Sequence, residues 1–480
     1  MNREVVTKAF VYKTLERFIA QGISFIIGII IARLLDPSDF GALAIMVVFI
    51  NIANEFVQGG LNLALVQIKE EKKEDFSTVF FLSLGISVLC YIVIFFCAPF
   101  LVRFYKMPEL LKPLRTIAVV LFAGALNSVQ TARVTRDMQF KIILICNTIS
   151  AIVSGLTGII LAYNSFGLWS LVIQQIVFNY VNCIVMWLFV GWRPILTFSC
   201  ERAKILWNFG WKIMASNLID SLHNDIRTLL LGKFFSKSIL AYFDRGKQIP
   251  KFIVVNFNQS IRSVMLPAMS TKQEDDKAVK NMLKNTIKMS SFILFPCMIG
   301  LLSVSPTLIP LLLTDKWTDC IPFVSLSCLL CMTWPIHSAH CVAYNAIGKS
   351  EIRLKITIIT KIIDIILLVS LTITTHNPLL VMGWQTFSDL FMGFIIYPAI
   401  SKRIFEYGIF EQLKDLKKTI ISSMLIYVVS MFPVFFHGND LRILCIQIIS
   451  GICIYVGSSM LLKNDMYDNC KIIIKKILSK

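Results

Sequence analysis

Five basic side chains fall inside two stretches that otherwise read as membrane helices. Arg227 lies on the first; Arg245, Lys247, Lys251 and Arg262 lie on the second. Asp220, His223, Asp225 and Asp244 sit among them. A charge near the bilayer centre costs about 2.5–3.5 kcal/mol on insertion scales, so it is normally kept for a pathway or a partner. The five cations outnumber the three aspartates, so mutual pairing leaves positive charge over. A phosphate or pyrophosphate would satisfy that excess. One Arg–phosphate pair at roughly 4 Å is worth about 4 kcal/mol at an effective dielectric of 20, before desolvation. Arginine adds a bidentate fork and lysine a point charge. Basic side chains near helix ends also snorkel to the interface, and Arg262 is the member most open to that reading.

Helical spacing sorts the polar residues into stripes. On the second charged segment Asp244, Lys247, Lys251, Asn258 and Arg262 share a face; on the first, Asn217, Asp220, Asn224 and Arg227 do. Near the N-terminus Asn51, Glu55, Gln58 and Asn62 form a third stripe, and Arg17, Gln21, Ser24 and Gly28 a fourth. Four such stripes are what a water-filled cavity between two lobes requires. The competing reading is that the uncharged members bond one another and hold helices together.

A second polar group, Lys361, Asp364 and Asp389, lies further along, with Thr360, Gln385 and Ser388 nearby. Membrane carboxylates are often proton or cation sites, and Asp225 could join this set. Alternatively, Lys361 simply neutralises Asp364 one turn away. His337 and His340 are spaced i, i+3 with no acidic partner close in sequence, and His376 and His437 fall in outer loops. That pattern does not suggest a metal. Cys328 and Cys331 form a CxxC with two leucines between them, which reads as small core residues rather than a zinc or redox site. No catalytic triad, paired-carboxylate motif or nucleotide fingerprint stands out, so neither an enzyme nor a cofactor is expected.

The elements that carry these residues must be transmembrane helices. The 480 residues are 56% hydrophobic and 16% charged, with a mean hydropathy of +0.72. Apolar runs of about 20 residues recur from end to end. Fourteen spans are expected, near 14–34, 41–66, 76–102, 113–132, 142–163, 167–191, 206–232, 239–268, 287–313, 319–347, 355–374, 379–400, 417–436 and 442–462. The net charge of +18 would suggest nucleic acid in a soluble protein. Here it reflects cytoplasmic loops. With the N-terminus inside, the inner segments hold 32 lysines and arginines against 9 in the outer loops, which implies both ends are cytoplasmic. The 13 cysteines lie mostly in apolar runs, so disulfides are not expected.

A weak internal repeat is legible. Ala32-Arg33 with Phe40-Gly41 matches Gly232-Lys233 with Leu240-Ala241, and Arg136–Lys141 resembles Ser350–Lys355. Each copy sits at the equivalent place in a set of six helices. The expectation is an all-α polytopic membrane protein with two six-helix lobes, residues 1–200 and 201–404, and two appended spans with a cytoplasmic tail at 405–480. Parallel repeats are a transporter architecture.

Residues 32–46 (ARLLDPSDFGALAIM), 59–67 (GGLNLALVQ), 132–141 (ARVTRDMQFK) and above all 209–270 carry a family resemblance. Across essentially its whole length the chain resembles the Wzx-like polysaccharide-export flippases of the multidrug/oligosaccharidyl-lipid/polysaccharide superfamily, nearest the colanic-acid and teichuronic-acid branch. The resemblance implies fourteen helices, alternating access and an undecaprenyl-pyrophosphate-linked oligosaccharide as substrate. It implies a multi-pass protein of the bacterial inner membrane. Arg227, Arg245, Lys247, Lys251 and Arg262 would hold the pyrophosphate, and Arg17, Gln21, Glu55, Gln58 and Asn224 would line the path. Asp225, Asp364 and Ser388 fall near positions where related lipid II flippases hold sodium, although Lys361 could stand in the cation's place; Asp225, Asp364 and Asp389 are the candidate ion-coupling carboxylates. Partners implied are the lipid-linked substrate, membrane lipid and the polymerase or glycosyltransferases of the same route; the protein itself is expected as a monomer. An ion-coupled drug exporter of the same superfamily is the first rival, and a membrane glycosyltransferase or polymerase the second.

Overall fold

The computed structural model describes residues 19, 21–68, 72–431, 440–468 and 471. Arg17 and His437 lie outside the described residues, as does the side chain of Arg262. Every regular element among the described residues is helical. Contacts divide the chain into two compact units, Met1–Ala241 and Tyr242–Lys480.

The first unit holds α1 (Gln21–Leu34), α2 (Pro37–Gln58), α3 (Leu61–Gln67), α4 (Lys73–Tyr105), α5 (Leu111–Ile117), α6 (Val120–Arg136), α7 (Phe140–Tyr163), α8 (Leu168–Phe189) and α9 (Cys200–Phe234). Its breaks follow local chemistry. Pro37 opens α2, where a missing N–H costs nothing, and the Gly59-Gly60 pair separates α2 from α3. Pro99 inside α4 cannot donate to the carbonyl of Phe95. Arg115 does so instead, with Nε 3.2 Å from that oxygen and its guanidinium 4.0 Å above the Phe95 ring. The core near α3 gathers Leu61, Leu65, Phe76, Phe80, Val129 and Leu206, with Trp187 and Trp192 packed on it.

In this unit α9 packs on α2, α3 and α4. The lobe boundary expected at residue 200 and the unit boundary at 241 therefore differ by this one helix. Two devices secure it. A Cβ on Gly60 would lie 1.9 Å from the carbonyl oxygen of Gly210, so the backbones touch where neither residue has a side chain. Arg202 grips Asp75 with Nε 2.5 Å from Oδ1 and Nη2 2.7 Å from Oδ2, and Asp75 is fully buried.

The second unit holds most of α10 (Lys237–Ser270), then α11 (Asp276–Leu313), α12 (Ile321–Ala346), α13 (Ser350–Thr375), α14 (Pro378–Phe391), α15 (Tyr397–Phe405), α16 (Ile409–Met431) and α17 (Asp440–Leu461). A π-helical turn, Met392–Ile396, joins α14 to α15. The last two helices pack on each other and on α11. Pro296 leaves the Phe292 carbonyl of α11 open, and the Tyr455 hydroxyl of α17 donates to it at 2.5 Å. A Cβ on Gly246 would stand 2.6 Å from that of Phe323, which brings α10 against α12.

Among the described residues nine helices are long and apolar enough to cross a membrane. The expected spans near 14–34, 113–132, 206–232, 239–268 and 417–436 fall on helices that are shorter or more charged. For α9 and α10 the reason is physical: the charges they carry lower their hydropathy. Many large apolar side chains face outward, including Phe96, Phe100 and Leu188, while serines and threonines such as Ser83, Ser128 and Ser303 are fully buried. Lipid-facing surface inverts the usual partition in this way.

Candidate functional site

The charged stripe of α10 is placed by the packing of its other face. Phe243, Gly246, Pro250 and Val254 are buried, and Phe243 meets Phe323 of α12 edge to face at 6.3 Å. Lys247 and Lys251 lie on the flank of that buried face. The Lys247 ammonium stands 4.0 Å over the Phe243 ring, a cation–π contact. Lys247, Lys251 and Asp389 of α14 all act electrostatically on the Cys331 thiol of α12. Three helices therefore bring two lysines and one carboxylate toward one place in the second unit. Asn258, further along the stripe, is buried and its Oδ1 has no hydrogen-bond partner among the described residues.

Arg245 stands apart from this group. It is two residues from Lys247, hence about 200° around the helix, and its Nη1 donates to Gln248 Oε1 at 2.6 Å. Pro250 cannot donate to the Gly246 carbonyl, so α10 carries an interrupted ladder beside Lys251.

In the first unit Arg227 is 5% exposed, deep in a helix of 35 residues. Asn217 Nδ2 reaches the Gly59 carbonyl at 3.5 Å, and Gly232 lies against Ile45, so the α9 stripe runs antiparallel to α2. Asn224 is exposed and Asp225 half-buried. The α2 stripe itself divides. Glu55 Oε2 is buried over Gly59 with no hydrogen-bond partner among the described residues. Gln58 leans on Gly124 of α6, and Asn62 accepts from Ser128 of α6 at 2.5 Å. Gln58 and Asn62 are thus helix-to-helix contacts. Gln21 is exposed on α1.

The acidic group is also distributed. Asp364 is buried on α13 and Asp389 is half-buried on α14, two helices that pack together. Asp225 belongs to the other unit. Among the described residues no group of His, Cys, Asp and Glu could hold a metal ion. Cys328 and Cys331 are buried, free thiols, as the leucines between them suggest.

Three polar arrangements are absent from the sequence reading. An amide ladder links α6, α8 and α7: Asn127 Nδ2 donates to Asn182 Oδ1 and Asn182 Nδ2 to Asn147 Oδ1, both at 2.8 Å. The Asp75–Arg202 pair is the second. The third surrounds His340, whose Nδ1 lies 2.8 Å from Ser401 Oγ and Nε2 2.9 Å from Gln412 Oε1. Each member sits on a helix face that periodicity identifies, but its partner lies 35 to 127 residues away.

Known proteins share this architecture. The solved lipid II flippase MurJ, in an inward closed conformation, superposes with a TM-score of 0.69 over 94% of this chain and 99% of that one, at 16% identity. An inward-facing multidrug resistance MATE family transporter of the MOP superfamily gives a TM-score of 0.57 at 14% identity, covering 88% and 98%. In sequence, the chain is 22% identical to the lipopolysaccharide biosynthesis protein WzxC of Escherichia coli (strain K12), covering 68% of this chain and 67% of that protein. It is 24% identical to the teichuronic acid biosynthesis protein TuaB of Bacillus subtilis (strain 168), covering 56% of each. Residues 30–322 match the family described as polysaccharide biosynthesis protein, Polysacc_synt_3. That match takes in more than half of the 480 residues, and the chain belongs to this family, in line with its Wzx-like resemblance.

Proposed function

We propose that this protein is a flippase that moves an undecaprenyl-pyrophosphate-linked oligosaccharide from the cytoplasmic to the outer leaflet of the bacterial inner membrane, for surface polysaccharide synthesis. Family membership, the names of the relatives and the MurJ-like fold support the reading. The observation that carries it is the pair Lys247 and Lys251, one turn apart on the flank of the buried face of α10 within a helical membrane protein. Such a pair suits an anionic headgroup and opposes a cationic drug. Arg227 and Arg262 add to the pyrophosphate hold, while Arg17, Gln21, Glu55, Asn224 and Asn258 contribute to the sugar path. The polyprenyl tail stays in lipid, since its length forbids enclosure.

In this reading the chain spans the membrane fourteen times with both ends cytoplasmic. It works by alternating access as a monomer, and hands its product to a polymerase or glycosyltransferase. Asp225, Asp364 and Asp389 are the carboxylates offered for ion coupling. Replacing Lys247 and Lys251 together with Ala abolishes surface polysaccharide while the protein remains in the membrane. Normal export by that variant sinks the assignment. Reconstitution with a lipid-linked oligosaccharide, with and without ion gradients, tests the coupling.

A further inference from the structure

The π-helical turn between α14 and α15 has an unusual stabiliser. The Tyr397 N–H donates to the Met392 carbonyl, which is the i→i+5 register. The next donor in that register would be residue 398, a proline, so the Gly393 carbonyl receives nothing from its own helix. Gln412 of α16 fills the gap, with Nε2 3.0 Å from that oxygen. The carbonyl can only accept, so the orientation of the amide is set, and Gln412 Oε1 must face His340. His340 Nε2 therefore carries the hydrogen, and Nδ1 accepts from Ser401 Oγ at 2.8 Å. Tyr344 Oη closes the set, 2.9 Å from Ser401 Oγ and 3.1 Å from the Tyr397 carbonyl. His340, Tyr344, Ser401 and Gln412 are all fully buried. A buried network with every member satisfied is rigid and specifies one arrangement.

The turn it holds lies directly after the functional part of α14. One inserted residue rotates the helix before the turn by about 100° relative to the helix after it. Asp389 lies three residues before Met392 and, like Lys247 and Lys251, is within electrostatic reach of Cys331. Gly393 packs on Thr333 of α12, two residues beyond Cys331. We propose that Gln412 is a positioning residue: it supplies the hydrogen bond that Pro398 cannot, holds the π-helical turn, and so sets which face α14 turns toward Lys247 and Lys251. The functional weight of this role rests on the reading of those lysines as pyrophosphate ligands.

Two variants separate positioning from support. Gln412→Ala leaves the Gly393 carbonyl orphaned, lowers the melting temperature of the purified protein and weakens its binding of undecaprenyl pyrophosphate about tenfold. Adding Pro398→Ala returns an N–H in the register of the turn, able to donate to the Gly393 carbonyl in place of Gln412. This double variant recovers both the melting temperature and the binding. Recovery of stability without binding would detach binding from the turn and overturn the proposal. So would wild-type binding by the single variant, or a double variant that gains no stability. A readout without lipid covers failure of the pyrophosphate reading itself, which Lys247→Ala with Lys251→Ala reports separately. With the remaining cysteines replaced by serine, Asp389→Cys is joined to the native Cys331 by a short methanethiosulfonate cross-linker. The yield falls several-fold when Gln412→Ala is added and returns when Pro398→Ala joins it; a yield unchanged by Gln412→Ala refutes the positioning.

Discussion

The two charged helices, α9 and α10, look alike in sequence and are held in opposite ways. The N-terminal turn of α9 is fastened by Arg202 to an aspartate with no solvent exposure, and its middle touches the backbone of Gly60. Lys237, in the first turn of α10, pairs with Glu109, whose side chain is 47% exposed. Further on, α10 relies on Gly246 against Phe323 and carries prolines at 250 and 267. An intact ladder with a buried ion pair resists deformation. A ladder interrupted twice and pinned by an exposed pair yields more easily. The difference teaches that equal charge patterns need not mean equal roles: α9 has the build of a fixed wall and α10 that of a helix able to bend.

The strongest way to break the comparison is Arg202→Ala. It leaves Asp75 buried without its partner, and unpairing a buried ion pair costs about 3–5 kcal/mol. Thermal unfolding should show a large loss, with little protein recovered from membranes. The same change at the α10 anchor, Lys237→Ala, should cost at most about 1 kcal/mol because the pair is exposed. If both losses are equal, the contrast fails.

Smaller effects come from the glycine contacts. Gly60→Ala drives a methyl into the Gly210 backbone, and Gly246→Ala drives one into Phe323. Overpacking of this kind costs about 1–3 kcal/mol. The Gly60 variant should lie at the upper end, since backbone on both sides cannot move aside. Melting temperatures of the two variants measure which helix is the more tightly seated.

The smallest effect is one of pH. The hydrogen bond from Lys237 holds the Glu109 carboxyl below its usual range, against a smaller opposing effect of burial. A folded-state pKa below the unfolded one stabilises above the unfolded value, about 4.3 for Glu, and the gain fades as pH falls through the folded one. Between pH 6 and pH 4 the wild type should therefore lose a few tenths of a kcal/mol that Glu109→Gln does not lose, within the range of about 0–1 kcal/mol for exposed pairs. Differential melting across that interval checks it. A variant with the wild-type slope would show that Glu109 does not anchor α10.

Membrane class, helical content and the identity of the charged helices were legible in the chain, because hydropathy and the 3.6-residue period are local properties. The same is true of the core cysteines Cys328 and Cys331, and of the family, which lies in the order of short segments from residue 32 to 270. Partners were not legible. Periodicity assigns Gln58 and Asn62 to one stripe along α2 and α3 but not to α6, and it could not tell that Asp389, grouped in sequence with Asp364, lies like Lys247 and Lys251 within electrostatic reach of Cys331. Pro398 announces an open carbonyl to any reader of the sequence. That a π-helical turn would shift the gap from Phe394 to Gly393, and that Gln412, beyond the next loop, would fill it through a network with His340 and Ser401, was decided by helix packing alone. A helix face is fixed by neighbours three and four residues away, whereas the group it meets depends on how distant segments come together.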